Sequence, residues 1–164
     1  MFRVGIIGPE STGKSTLAKY LARRYGGVMV PEYAREYMEL RACSSAYTHE
    51  DVLNIAQHQV KQLQDLSTTF SDGIPEGCQS DVIFFDTELI ITKVWLVHKY
   101  GECPSFLEQA LQQCPMDAYL LCYPDIPWEP DPVRENPDIR EYLFKWYERE
   151  IQNLNIPYYI VKHK

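Results

Sequence analysis

The chain has 164 residues, 45% of them apolar and 24% charged, the balance of an ordinary folded domain; disordered, collagen-like and coiled-coil readings are excluded, and one packed core is expected. Sixteen Lys and Arg against 23 Asp and Glu give a net charge of −7, a field that repels a nucleic-acid backbone, so no nucleic-acid partner is expected. Five cysteines (Cys43, Cys78, Cys103, Cys114 and Cys122), odd in number and without CxxC spacing, argue against a disulfide framework and a zinc site and for a reduced, cytoplasmic compartment. No apolar run approaches the roughly 18 residues of a membrane span, and the first residues lack a signal-peptide pattern, so no membrane partner is expected.

In chain order, the apolar run 2–7 reads as a buried strand that enters a glycine turn. Helical spacing follows over 14–25 and stops at Gly26-Gly27. A second strand covers 27–30. Thr48 is placed to cap a helix running to about Leu66, with Leu53, Ala56, Val60 and Leu63 as its apolar stripe. Residues 71–80, with Gly73, Pro75 and Gly77, form a surface loop. A third strand at 82–85 leads to a helix over 88–100 that is apolar nearly all round and ends at Gly101. The fourth strand is 118–123. Five prolines between 123 and 137 stiffen a flap, a helix follows over 138–154, and the last strand is 158–161. Buried strands alternating with helices predict an α/β domain spanning 1–164: a doubly wound, five-stranded parallel sheet with helices on both faces and a lid at about 124–140.

The strongest chemical signal is Gly8-Pro9-Glu10-Ser11-Thr12-Gly13-Lys14-Ser15, a full GxxxxGK[ST] match after a strand and before a helix. There glycines let backbone N–H groups curl around phosphate oxygens while the helix N-terminus adds positive potential. This is a P-loop, and Gly8 through Thr16 form the expected ATP site of the P-loop NTPase fold. Lys14 would contact the β- and γ-phosphates and Ser15 would ligate Mg²⁺. Asp86 ends the apolar run Val82-Ile83-Phe84-Phe85 at the sheet edge where such folds place ligands; it reads as a second carboxylate near Mg²⁺ or as a cap of the next helix. Glu32, after the second strand, reads as the base that receives an acceptor's proton or as a solvated first-turn acid. Arg35 and Arg41 bind substrate or form surface pairs. Arg134 and Arg140 belong to the flap, where closing arginines can supply charge and exclude water, or bridge to neighbouring acids. Tyr33, Tyr37, Trp95 and Trp128 stand near the ligand edge as rings that could sandwich a flat or cationic group. The four histidines carry no ligand or triad spacing.

Together, GPESTGKSTL, VPEYAREY, the FFDT of 84–87 followed by Thr92-Lys93-Val94-Trp95, and YPDIPWEPDPVRENP with Arg140 resemble the P-loop kinase domain of the NadR type, whose members include ribosylnicotinamide kinases of NAD salvage. The VPE segment is also similar to a strand-end motif of deoxyribonucleoside kinases in which the glutamate is the catalytic base. The resemblance implies an ATP- and Mg²⁺-dependent kinase acting on the 5′-hydroxyl of a nucleoside, most simply ribosylnicotinamide. Lys14, Glu32, Asp86, Arg134 and Arg140 are then the catalytic set, and Tyr33, Arg35, Thr87, Trp95 and Trp128 the substrate contacts. A regulatory ATPase and a nucleoside monophosphate kinase are the alternatives. The HxGH-type motif and the DNA-binding domain of multifunctional members are not in this sequence, and the resemblance implies one more helix beyond Lys164.

Overall fold

The computed structural model describes residues 1–41, 46–69 and 73–163; Cys43 and the start of the 71–80 loop lie outside them. Within them a sheet of five parallel strands forms, β1 (Phe2–Ile7), β2 (Val28–Val30), β3 (Val82–Asp86), β4 (Ala118–Cys122) and β5 (Tyr158–Val161), in the order β2-β3-β1-β4-β5. The helices between them are α1 (Lys14–Tyr25), α2 (Tyr33–Leu40), α3 (His49–Thr69), α4 (Leu89–Tyr100), α5 (Ser105–Gln113) and α6 (Arg140–Asn153). Each strand feeds its side chains alternately to the two faces. Val4, Ile6 and Phe84 pack with Ala18 and Ala22 of α1 on one face. Ile7, Ile83, Phe85 and Leu121 pack on the other, under α3, α4, α5 and α6. The expected doubly wound sheet is therefore observed, with one helix covering one face and several covering the other.

Local chemistry explains the helix bounds. The Thr48 hydroxyl accepts the Asp51 N–H at 3.2 Å while the Asp51 carboxylate accepts the Thr48 N–H at 2.7 Å, a reciprocal cap in which Asp takes the place usually held by Glu. The helix then runs to Thr69, one turn past the expected end. Glu88 caps α4, accepting the Ile90 N–H at 2.9 Å. Its carboxyl is buried beside the Tyr119 hydroxyl, and that burial pushes it up to about 7. Gly5 makes the seat possible: a Cβ there would stand 2.6 Å from the Tyr119 ring and 3.3 Å from Glu88. Two helices were not expected from the sequence. α2 buries no residue fully, and α5 is only nine residues long, although its Leu107, Ala110 and Leu111 are a helical stripe that does enter the core. Among the described residues, no helix is long and apolar enough to cross a membrane.

Candidate active site

The P-loop turns out of β1 at Gly8, where φ is +152° and a Cβ would meet the Cys122 carbonyl oxygen at 2.6 Å. Only glycine lets this backbone fold so tightly against β4. The loop is held internally by the Thr12 hydroxyl, which donates to the Pro9 carbonyl at 2.8 Å, and by Lys14 Nζ, which donates to the same oxygen at 2.8 Å. Ser11 sits in the left-handed region at φ +58°, costing about 1–3 kcal/mol as such positions do. Residues Glu10 through Thr16 line a small cavity of about 140 Å³ that Glu32 and Arg134 also border.

Asp86 comes from the end of β3 and is only 2% exposed. Burial raises its pKa above the usual carboxylate range, while the neighbouring Ser15 hydroxyl, Lys14, Lys19 and Arg35 pull it back down. Because Glu88 caps α4, the alternative role of Asp86 as that cap does not hold. One oxygen of Asp86, Oδ1, is buried without a hydrogen-bond partner, and Thr87 Oγ1 next to it likewise. Such an orphaned acceptor beside a serine hydroxyl fits a divalent cation completed by phosphate oxygens and water, the way Mg²⁺ is usually held; among the described residues no cluster of three or more His, Cys, Asp or Glu forms a protein-only cage. Thr87 has φ +68°, an outlier for a β-branched residue, fixed by its N–H donating to the Ile6 carbonyl at 3.0 Å. Strain of this kind gathers at sites where geometry is dictated by a ligand.

A second, larger cavity of about 730 Å³ opens alongside, walled by α2, α4, Tyr47 and the flap, and it shares Glu10, Lys14, Glu32, Arg35, Val133 and Arg134 with the small one. Glu32 lies at the junction. Desolvation raises its pKa, more than the nearby Lys14 lowers it, with Asp86 raising it further. It stands just before α2 and makes no side-chain cap, and burial is the largest influence on its carboxyl, which is not the setting of the alternative, a solvated first-turn acid.

The flap lies across the P-loop. Glu10 accepts the backbone N–H groups of Glu135 at 3.2 Å and Asn136 at 3.0 Å; burial raises its pKa and these bonds oppose the rise. Ser11 Oγ accepts from the Glu129 N–H at 3.0 Å. Arg140 donates to the carbonyls of Ser11 and Ile126 at 3.2 and 3.0 Å, with Trp128 about the guanidinium at 5.9 Å. Arg35 holds Asp131 at 3.0 Å.

Two expected substrate contacts are placed elsewhere. Tyr33 stacks on His58 of α3 with centroids 3.5 Å apart and does not line the large cavity, because the first turn of α2 aims it back over α3. Trp128 also lines neither cavity, its ring centre standing 5.9 Å from the Arg140 guanidinium, and Arg140, whose Nη1 donates to the Ser11 and Ile126 carbonyls, lines neither cavity either. Arg35, Thr87, Trp95 and Arg134 do line the large cavity. Sequence reasoning missed Tyr47, Lys99 and Glu135. The Tyr47 hydroxyl accepts from Trp95 Nε1 at 2.9 Å and from Lys99 Nζ at 2.6 Å and donates to the Glu135 carboxylate. Only the Trp95 to Lys99 spacing, four residues on one helix, was a signal available in advance.

A parallel sheet of this order, with a P-loop after its central strand and a polar flap over it, is the fold of the P-loop nucleoside and nucleotide kinases. The chain belongs to the AAA domain family, whose model matches residues 3–164. It is 26% identical over 133 residues to the trifunctional NAD biosynthesis/regulator protein NadR of Salmonella typhimurium, and equally to that of Escherichia coli, an alignment spanning 80% of this chain and 30% of NadR. Among solved structures, the NadR protein in complex with NR is similar with a TM-score of 0.70 at 22% identity, over 97% of this chain and 43% of that one. Deoxyadenosine kinase from M. mycoides is similar with a TM-score of 0.62 at 13% identity, over 98% and 90%. The chain thus spans less than half the length of the NadR proteins it matches, and its resemblance to a NadR-type P-loop kinase domain is borne out.

Proposed function

We propose that this chain is an ATP-dependent kinase that phosphorylates the 5′-hydroxyl of a nucleoside, with ribosylnicotinamide as the acceptor and Mg²⁺ as the metal. The observation that carries the reading is where two cavities meet: Glu10, Glu32 and Lys14 border both the P-loop cavity and the larger one beside it, and of the two carboxylates Glu10 is bonded to the flap N–H groups of Glu135 and Asn136, so the acceptor is assigned to Glu32. A donor phosphate in the first and an acceptor hydroxyl in the second would face each other there. Similarity to NadR, crystallised with NR and separately with NAD and AMP-PNP, supports the choice of acceptor.

In this mechanism the P-loop N–H groups and Lys14 hold the donor's phosphates, and Ser15 and Asp86 would hold the metal, which would supply positive charge against that of the phosphates. Glu32 orients the acceptor hydroxyl and receives its proton. Its raised pKa, caused first by burial, makes it a better proton acceptor than an ordinary glutamate. Arg134, which borders both cavities and whose Nη1 donates to the Glu129 carbonyl at 2.6 Å, is the arginine assigned to the transferring group, whereas Arg140 holds the flap to the loop and acts by positioning. Arg35 and Arg41, which a monophosphate kinase would use on an acceptor phosphate, are already engaged by Asp131 at 3.0 Å and Asp51 at 3.2 Å, which favours a nucleoside over a nucleotide acceptor.

The test is ADP formation by the wild type and Glu32→Gln, with and without ribosylnicotinamide and other nucleosides. Stimulation by a nucleoside in the wild type, lost by about 10²–10⁴ in the variant with nucleotide affinity kept, is the expected result. Acid should also reduce turnover, since Glu32 is inactive once protonated, with the falling limb above the 4.5 of an ordinary glutamate. Hydrolysis that no nucleoside stimulates would favour the regulatory ATPase instead.

A further inference from the structure

The phosphate cradle carries one residue that phosphate binding does not call for. Glu10 lines the P-loop cavity and borders the larger one as well, and a carboxylate there repels a donor's phosphates by like charge. Its oxygens are turned to the flap instead. Oε2 accepts the N–H groups of Glu135 at 3.2 Å and Asn136 at 3.0 Å, and Oε1 stands 3.3 Å from the Glu135 nitrogen. Bonds from N–H groups to an ionised carboxylate are roughly twice as strong as neutral ones. The next residue makes a second clasp: Ser11 Oγ donates to the Pro127 carbonyl at 3.3 Å and accepts the Glu129 N–H at 3.0 Å. Two consecutive cradle residues thus hold the flap at 127–129 and at 135–136. Arg134 lies between the clasps. Its backbone N–H donates to the Asp131 carbonyl at 3.0 Å and its Nη1 to the Glu129 carbonyl at 2.6 Å, so main chain and guanidinium alike take their places from the clasped segment. Asp131, held by Arg35 at 3.0 Å, ties the middle of that segment to α2.

We propose that Glu10 is a positioning residue for Arg134: its carboxylate clasps the flap N–H groups of Glu135 and Asn136 and thereby sets the arginine at the border of the two cavities. The proposal rests on the kinase reading and on the place given there to Arg134, and it adds that the cradle itself fastens the charge that closes over it. Glu10 is then neither the base nor a ligand of phosphate through its side chain. The clasp secures the flap on the far side of Arg134 from Ser11, so its loss frees that side alone and leaves the Ser11 and Arg35 holds in place.

Losing the clasp should therefore look like losing Arg134 and not like losing a cradle residue. With a nucleoside that stimulates ADP formation, Glu10→Ala should lower kcat about tenfold, as Arg134→Ala does, and AMP-PNP affinity should be kept because only a negative charge has left the phosphate site. The double variant should be no slower than either single one, whereas two independent losses would multiply to about a hundredfold. Glu10→Gln, whose amide oxygen can still accept a flap N–H, should recover most of the lost kcat; a carboxylate acting as a base would not be rescued in this way. Hydrogen exchange on the full chain without substrates reads the clasp itself. The amides of Glu135 and Asn136 should lose protection in Glu10→Ala and keep it in Glu10→Gln. Multiplied losses in the double variant, no rescue by Gln, weakened AMP-PNP binding in Glu10→Ala, or unchanged exchange at 135 and 136 each overturns the proposal. A normal kcat in Arg134→Ala overturns it too, while wild-type ADP formation shows that the kinase reading stands. Should no nucleoside stimulate the wild type, the kinase reading falls and the role given to Arg134 falls with it, and the exchange of those two amides, which needs no turnover, still decides whether Glu10 holds the flap.

Discussion

The P-loop cavity and the larger cavity beside it share a border but are built on opposite principles. The first is made chiefly from seven consecutive residues, Glu10 through Thr16, whose positions are dictated by covalent connectivity, by Gly8 against β4 and by bonds the loop makes to itself. The second is made from side chains of the segment before α3, of α2, of α4 and of the flap, joined by polar contacts at half-exposed positions. A backbone cradle cannot be retuned without rebuilding the turn, whereas a wall of side chains changes character with a single substitution. Substitutions in the first should therefore destroy the reaction, and substitutions in the second should redirect or slow it.

After the loss of about 10²–10⁴ expected for Glu32→Gln, the next largest effect is for Lys14→Ala, about 10²–10³ in kcat, as for other donors aimed at charge that grows in the transition state. Among the described residues Lys14 hydrogen-bonds Pro9 within its own loop and otherwise acts through charge on Glu10, Glu32 and Asp86, so the fold should survive its loss; a variant that unfolds would mean the cradle needs Lys14 for its shape and would break the contrast. Asp86→Asn should raise the Mg²⁺ concentration needed for half-maximal rate roughly 10- to 100-fold, read from metal titrations at saturating ATP. An unchanged titration would remove Asp86 from the metal site. On the flap the two arginines should part company. Arg134→Ala should lower kcat by about tenfold without weakening nucleotide binding, because it borders both cavities. Arg140→Ala should loosen nucleotide binding as well, since its bonds run to Ser11 of the cradle itself; identical kinetics for the two variants would refute that division.

The smallest effect is one of stability. Glu88 is held up to about 7 in the folded chain against 4.5 for a free glutamate, so the folded state binds the proton more tightly and stability is lost as pH rises between these values. Wild-type melting temperature should fall from about pH 5 to about pH 8 by a few degrees more than that of Glu88→Gln, whose amide oxygen can still cap α4. Parallel melting curves would show that Glu88 is not the titrating group.

How much was legible in the sequence follows the same division. The five strands and α1 were readable because apolar runs and the GxxxxGKS spacing are local signals, and α1 was placed to the residue. α2 and α5 escaped because each is short and one buries nothing fully. Glu32, Asp86 and Lys14 could be proposed in advance because strand ends in such sheets converge on one edge. Tyr33 and Trp128 went astray because proximity in sequence to that edge says nothing about which way a ring turns. Tyr47, Lys99 and Glu135 were invisible because Glu135 meets Tyr47 across 88 positions of chain, a contact made by tertiary packing alone.

Gly5 lines neither of the two cavities described above, yet the clearance it leaves in β1 reaches the far wall of the larger one through a train of rigid parts. The missing side chain admits the Tyr119 ring; the ring's hydroxyl seats Glu88; Glu88 fixes the first turn of α4; and α4 is the shaft that carries Trp95 and Lys99 to the far wall. A methyl group at position 5 would act as a shim, tilting that shaft and shifting which acceptors fit, from a residue that no inspection of the binding surface would single out.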